Sequence, residues 1–145
     1  MRIISIFEKI EDRLFAVCFK GSDRDELDRA LDSWRDVEWL REFFNRSRED
    51  LSKFDLTLKV KHAVRQTMEE AEQIFDRLIE FSEKDSLDKL FKPLDNREEP
   101  QRPYEFQKLK AKGERRKSML RLYAVKYRDW YVITGGAIKL TDQMD

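Results

Sequence analysis

Two runs of aromatic, β-branched and other apolar residues near the end of the chain are separated by only two residues. The runs are 119–127 and 130–134, and Arg128 with Asp129 connects them. A connection of this length between such runs predicts an antiparallel pair of strands. At Gly135 and Gly136 we expect the second strand to break and to resume at 137–140, because glycines inside a strand are typical of a β-bulge or of close approach by a ligand or another backbone. The chain should therefore form a sheet at its C-terminus.

Two stretches upstream carry apolar residues at helical spacing. In residues 22–44, Ser22 and Asp25 have the spacing of a capping pair, and the pattern predicts a single helix with a kink near Ser33. In residues 60–81 the apolar positions lie three and four apart, which predicts an amphipathic helix with one face inward. Its acidic outer face indicates solvated surface or, alternatively, an internal counter-charge to a basic site.

The remaining segments predict short elements and a connection. Residues 3–8 and 13–20 have the apolar pattern of a β-hairpin. Residues 85–91 predict one more helical turn, and the three prolines after it mark an ordered, extended connection.

The fold class that follows is α+β, in one domain covering residues 1–145. Residues 1–92 supply the N-terminal hairpin and the helices, and residues 93–145 supply a basic segment and the C-terminal β core. We expect a small antiparallel C-terminal sheet packed by two main helices. The hairpin is expected either to join this sheet or to cap the helices.

Charge is divided unevenly along a chain whose net charge is +0. Residues 101–145 carry 11 Lys and Arg against 5 Asp and Glu. Surface attraction depends on charges within a Debye length, roughly 8 to 10 Å, so this third can attract polyanions although the molecule is neutral. It is the candidate binding region.

Several classes of protein are disfavoured by residues that are missing or isolated. Cys18 is the only cysteine, so an internal disulfide and a cysteine cluster are excluded. His62 has no partner at metal or triad spacing, and no phosphate-binding or dinucleotide-binding glycine motif is present. The N-terminal apolar run is too short for a signal peptide, and no window reaches the roughly 20 apolar residues needed to cross a bilayer. We expect a cytoplasmic protein without a metal, a cofactor or a membrane partner.

The segment immediately before the first C-terminal strand concentrates six cations in ten residues around Gly113. Phosphate contacts supply most of the affinity of nucleic-acid binding, so these cations are candidates to hold an RNA backbone. The alternative is a solvated charged loop. The candidate residues are Lys108, Lys110, Lys112, Arg115, Arg116 and Lys117.

Strand alternation places Arg121 and Tyr123 on one face of the predicted strand and Leu120, Leu122 and Ala124 on the other. The second set should face the helices. An arginine between large apolar residues is costly unless it has a partner or an anionic ligand. We expect Arg121 to lie uncovered beside the basic segment; the alternative is a structural salt bridge to a helix carboxylate.

The C-terminal part of the chain resembles the β core of RelE/HigB-like toxins of type II toxin-antitoxin systems, including their phage-related branch. The resemblance lies in residues 119–123 and 130–141, together with the upstream residues 94–96 and the Lys-rich segment. Those proteins show an Arg-aliphatic-aromatic strand, a second strand, and a small residue followed by Lys and Thr. The resemblance covers about the last 50 residues, preceded here by a longer N-terminal part.

The resemblance implies an endoribonuclease that cuts mRNA, often on the ribosome, without metal. A ribose 2′-hydroxyl attacks the adjacent phosphate while the protein neutralises charge and moves protons. Arg121 would stabilise the phosphate and Lys139 would contact it, and from its position Tyr123 would stack or relay a proton. The implied partner is a cognate antitoxin, a small DNA-binding protein. Two alternatives remain open: a module that binds RNA or DNA without cutting it, and a protein-interaction domain that docks an acidic partner.

Overall fold

The computed structural model describes residues 3–10, 13–84, 86–93, 107–112 and 118–140, with backbone only for 3–8, 10, 107 and 108. These residues form one sheet with a layer of helices. The strands are β1 (Ile3–Ile10), β2 (Leu14–Phe19), β3 (Lys92–Pro93), β4 (Gln107–Lys112), β5 (Leu120–Tyr127) and β6 (Trp130–Ile138). The helices are α1 (Glu26–Trp34), α2 (Val37–Arg46), α3 (Arg48–Phe54) and α4 (Val60–Glu83), and a short 3-10 turn at Leu87–Lys89 follows α4.

The sheet has the strand order β1-β2-β6-β5-β4-β3, and the α+β class is confirmed. The N-terminal hairpin joins the sheet, because β2 pairs with β6 from Leu14↔Tyr131 to Ala16↔Ile133. This pair is parallel while all the others are antiparallel, so the sheet is mixed and larger than expected. The helices between β2 and β6 supply the long crossover that a parallel pair requires.

The helical layer departs from the prediction in its first half. The stretch predicted as one kinked helix is divided into α1 and α2, since Asp36 accepts a hydrogen bond from the Trp39 amide at 3.1 Å and begins a new helix. The residues that follow α2 lead through Ser47 into α3. The layer therefore has four described helices instead of two main ones. The longest, α4, confirms the amphipathic helix predicted at residues 60–81.

The main core lies between one face of the sheet and helices α1 and α4. Leu120, Leu122 and Ile133 are fully buried in it against residues such as Trp34 and Ile74. A second cluster, formed by α2, α3 and the start of α4, surrounds Met119 and Leu140. We call the side of the sheet that carries the main core the helix-covered face.

Strand β6 does not break at its glycines but runs through them with a β-bulge. Tyr123 pairs with Gly135 and Ala124 with Ile133, so Thr134 is the extra residue. At Gly136 the close approach is to a helix, because a Cβ there would lie 2.8 Å from Trp34 Cζ2 and 2.9 Å from Ala30 Cβ. No described helix has the length and apolar composition needed to span a membrane.

A cationic face of the sheet as candidate functional site

The side of the sheet opposite the helices gathers positive and aromatic side chains. Cross-strand pairing puts Lys112 beside Arg121, Lys110 beside Tyr123, and Lys92 beside Lys110. We call this side of strands β3 to β6 the cationic face. Its described side chains belong to Lys92, Lys110, Lys112, Arg121, Tyr123, Val125, Tyr127, Trp130, Val132 and Ala137.

Strand β4 explains how a lysine-rich segment builds part of a folded sheet. Its residues alternate, with Leu109 and Ala111 buried in the main core and Lys110 and Lys112 on the cationic face. Lys112 is exposed and Lys110 is half-buried. The expectation of a basic segment that ends before the sheet begins is wrong for residues 107–112, because alternation with two apolar residues makes this part a half-buried strand. Its cations are consequently held in register by the neighbouring strand.

Arg121 lies at the centre of the basic end of this face, but it is not uncovered as expected. The residue is only 9% exposed. Its Nη1 donates hydrogen bonds to the carbonyl oxygens of Ser118 and Leu120, both at 2.9 Å. In the described part of the chain no carboxylate pairs with it, so the alternative of a salt bridge to a helix acid is not observed. Its Nε is buried and makes no hydrogen bond there.

A buried donor with no acceptor usually costs about 1 to 3 kcal/mol, and in a native structure it is often explained by a ligand or a functional role. The planar guanidinium group can bind an oxyanion such as phosphate through two parallel hydrogen bonds. Arg121 therefore has a buried Nε–H group without an acceptor, and its guanidinium is of the type that recognises phosphate.

The residue before the strand that carries Arg121 makes hydrogen bonds to α4 and to the residue that follows β6. The Met119 amide donates to Oε2 of the fully buried Glu70 at 3.3 Å. The Met119 carbonyl accepts from the Lys139 amide at 2.6 Å. These contacts place Lys139 just beyond the end of β6, at the same end of the sheet as Arg121.

The electrostatics of the cationic face follow from its composition. No Asp or Glu occupies a described position on this side of β3 to β6. Neighbouring like charges are normally avoided across strands, because they repel when directly opposite. The pairing of Lys92 with Lys110 therefore brings two positive charges close together on this face.

An aromatic group occupies the other end of the same face, at the β5–β6 turn. Trp130 packs edge-to-face on Phe15 of β2, with ring centroids 5.8 Å apart and an interplanar angle of 61°. Tyr127 pairs with Trp130 across the hairpin, and the Arg128 guanidinium lies 5.4 Å from the centre of the Tyr127 ring.

The candidate residues taken from the sequence are brought together in part. Lys110, Lys112, Arg121 and Tyr123 share the cationic face, while Lys139 lies at its border. Lys108 pairs with Val125 in the backbone register. Arg115, Arg116 and Lys117 lie outside the described residues.

Lys92, Trp130 and Arg128 belong to the site region but were not among the candidates. The alternation from Lys108 to Lys112 was the available signal for a strand with one cationic side. Trp130 and Arg128 could have been found from the antiparallel pairing itself, whereas Lys92 sits on a two-residue strand that leaves no pattern in the sequence.

The only cysteine and the only histidine of the sequence lie outside this face. Cys18 is buried, with its Sγ 3.3 Å from the Ser22 carbonyl, and His62 is exposed on α4. Within the described residues, no three His, Cys, Asp or Glu side chains are grouped so that they could hold a metal ion. Comparison with protein-family models, curated proteins and solved structures finds no match to this chain.

Proposed function

We propose that this chain binds single-stranded RNA on the cationic face of its sheet. The observation that carries the proposal is the cross-strand register, which lines up Lys112 with Arg121 and Lys110 with Tyr123 on a side where strands β3 to β6 have no Asp or Glu at a described position. Lysines at fixed spacing suit the repeating charge of a phosphate backbone. Tyrosine beside them suits stacking on an unpaired base, which duplex RNA does not present.

A second candidate function is cleavage of the bound RNA, as implied by the resemblance to RelE/HigB-like toxins. The 2′-oxygen of a ribose would form a bond to the adjacent phosphorus while the bond to the 5′-oxygen breaks. The 2′-hydroxyl loses its proton and the 5′-oxygen gains one, so the products carry a 2′,3′-cyclic phosphate and a 5′-hydroxyl. Arg121 would neutralise charge on the phosphate, Lys139 would contact it, and Tyr123 would relay a proton. The buried Nε of Arg121 favours this candidate, because an oxyanion would supply its acceptor.

In this proposal the protein acts in the cytoplasm on mRNA, free or on the ribosome, and its activity is restrained by an antitoxin protein. The antitoxin would cover the cationic face with acidic residues, because such a partner blocks RNA without further chemistry. Neither the cytoplasmic location nor the antitoxin is needed for the binding proposal.

RNA binding is tested by titrating a labelled single-stranded RNA at salt concentrations from about 50 to about 200 mM. The double variant Lys110→Gln/Lys112→Gln should lower the slope of log affinity against log salt by about 1.4, since each lost phosphate contact on a single strand contributes about 0.7. The matched control is Lys59→Gln/Lys61→Gln, which removes the same charge from two exposed residues at the start of α4. Equal slopes in both variants would refute the binding face.

Cleavage is tested with the same RNA and with a copy that has 2′-deoxyribose throughout. Only the ribose form should be cut, and its fragments should end in a cyclic phosphate. Tyr123→Phe should slow cleavage by about 10²-fold or more while leaving affinity intact, because it removes a proton relay but keeps the ring. In cells, expression should arrest growth, and Arg121→Ala should relieve the arrest. RNA that binds but stays intact would instead identify a non-cleaving module, and a protein that binds no RNA would favour the protein-interaction alternative.

A further inference from the structure

The β5–β6 turn carries an aromatic side chain that contributes little to the core. Trp130 is 47% exposed, although tryptophan is among the most costly side chains to leave in water. Its edge-to-face contact with Phe15 holds the indole in place while leaving about half of the residue accessible. The ring is thus restrained on one side and accessible on the other.

The turn itself has an unusual residue for its backbone. Arg128 adopts a φ of 57°, in the left-handed region where glycine and asparagine are favoured. Residues kept in that region against their preference are concentrated at binding and active sites. The residue in this region is the cation Arg128, and its guanidinium lies 5.4 Å from the centre of the Tyr127 ring.

The turn is continuous with the basic end of the cationic face. Arg121 and Tyr127 lie on the same side of β5, six residues apart, which corresponds to about 20 Å along the strand. Single-stranded binding sites of roughly 4 nucleotides or more combine a charged groove with aromatic platforms on which bases stack. A strand of RNA held at Lys112 and Arg121 can therefore extend along β5 to the turn.

We propose that Trp130, with Tyr127 and Arg128, forms a stacking subsite for an unpaired base and thereby selects single-stranded over double-stranded RNA. This inference rests on the proposed RNA-binding function and extends it from the phosphates to the bases. Arg128 supplies a charge for the phosphate next to the stacked base or stacks on it through its planar guanidinium. In duplex RNA the base faces are occupied by neighbouring pairs, so the subsite stays empty.

Intrinsic fluorescence provides a direct test, because the chain has three tryptophans in different environments. Trp34 is buried, while Trp39 on α2 is 37% exposed and stacks on Phe43. Single-stranded RNA should quench the emission of wild-type protein and of Trp39→Phe, and the quenching should disappear in Trp130→Phe. Quenching that persists in Trp130→Phe would overturn the proposal.

Affinity measurements separate this inference from the function on which it rests. Trp130→Ala should weaken single-stranded RNA between about 5-fold and about 100-fold and leave duplex RNA of the same sequence unchanged. Trp39→Ala is the matched control and should change neither. Equal losses for both RNAs, or no loss for either, would overturn the stacking subsite. If Lys110→Gln/Lys112→Gln still shows a reduced salt slope in that case, the RNA-binding function survives; if it does not, both proposals fail.

Discussion

On the helix-covered face of the sheet, Leu120, Leu122 and Ile133 have no measurable exposure, whereas Tyr123, Val125 and Val132 on the cationic face are only half-buried. Both sets of residues lie on the same two strands, one position apart. Alternation along β5 and β6 thus separates a closely packed surface from one that continues, on β3 and β4, into two lysines directly opposite each other. The difference teaches that the same two strands build a tightly packed surface on one side and a less tightly packed surface on the other.

The largest contrast is expected from truncating one apolar residue on each face. Leu122→Ala should lower the free energy of unfolding by about 2 to 5 kcal/mol, because it leaves a cavity in a close-packed core. Val125→Ala should cost no more than about 1 kcal/mol, since part of that side chain is already in water. Urea unfolding of both variants measures the contrast. Equal losses would mean that the cationic face is a second core and not a binding surface.

The two adjacent glycines, Gly135 and Gly136, allow the two faces of the sheet to be compared by adding one methyl group to each. Gly136→Ala should destabilise the protein by about 1 to 3 kcal/mol, because the new Cβ would lie 2.8 Å from Trp34 Cζ2. Gly135→Ala should stay within about 0.5 kcal/mol of wild type, since nothing lies within 4 Å of its Cβ position. Thermal or urea unfolding distinguishes them. If Gly135→Ala lost more stability than Gly136→Ala, the close contact with the helix would belong to Gly135 and not to Gly136.

Local patterns predicted the elements that depend on local interactions. The periodicity of α4 and the two-residue link between β5 and β6 are both observed. The division at Asp36 was missed because apolar spacing continues from Trp34 to Leu40, and only the side-chain cap separates the two helices. The alternation of β4 was available in the sequence but was hidden by its high lysine content.

Features that depend on distant contacts were not accessible to sequence reasoning. The parallel pairing of β2 with β6 joins distant parts of the chain, which no local pattern encodes. Strand alternation placed Arg121 on the correct side of the sheet, but its depth depends on two carbonyl groups and on the position of β5 against Glu70. For the candidate site, the face was predictable while the degree of burial was not.

A partly buried ion pair on the helix-covered side provides a pH-dependent measure of that face. Lys9 of β1 lies 2.9 Å from Asp25, which also accepts a hydrogen bond from the Asp28 amide as the N-cap of α1. Burial acts to raise the pKa of Asp25, but that amide and Lys9 outweigh it and lower the pKa. A lowered pKa in the folded state stabilises the protein above the unfolded value of about 3.9, and this contribution is lost as the pH falls through the folded value.

Asp25→Ala should therefore cost about 0.5 to 2 kcal/mol at neutral pH, the usual cost of losing an N-cap. Asp25→Asn keeps the cap but removes the charge, so its stability should fall less steeply than that of wild type as the pH drops below about 4. Unfolding by urea at a series of pH values is the measurement. A parallel decline in wild type and Asp25→Asn would show that Asp25 is not the group responsible.

The smallest expected effect concerns a lysine of the cationic face, and its sign is opposite to that of the others. Lys92 is exposed and lies directly across from Lys110, so Lys92→Gln should raise the free energy of unfolding by a few tenths of a kcal/mol at low salt. The gain should vanish near 1 M salt, where the Debye length is about 3 Å. The same substitution should weaken RNA binding, because it removes a cation from the proposed phosphate path. A protein that becomes more stable while binding less tightly would show that Lys92 serves a ligand at the expense of the fold, whereas a loss of stability at low salt would assign Lys92 to the structure instead.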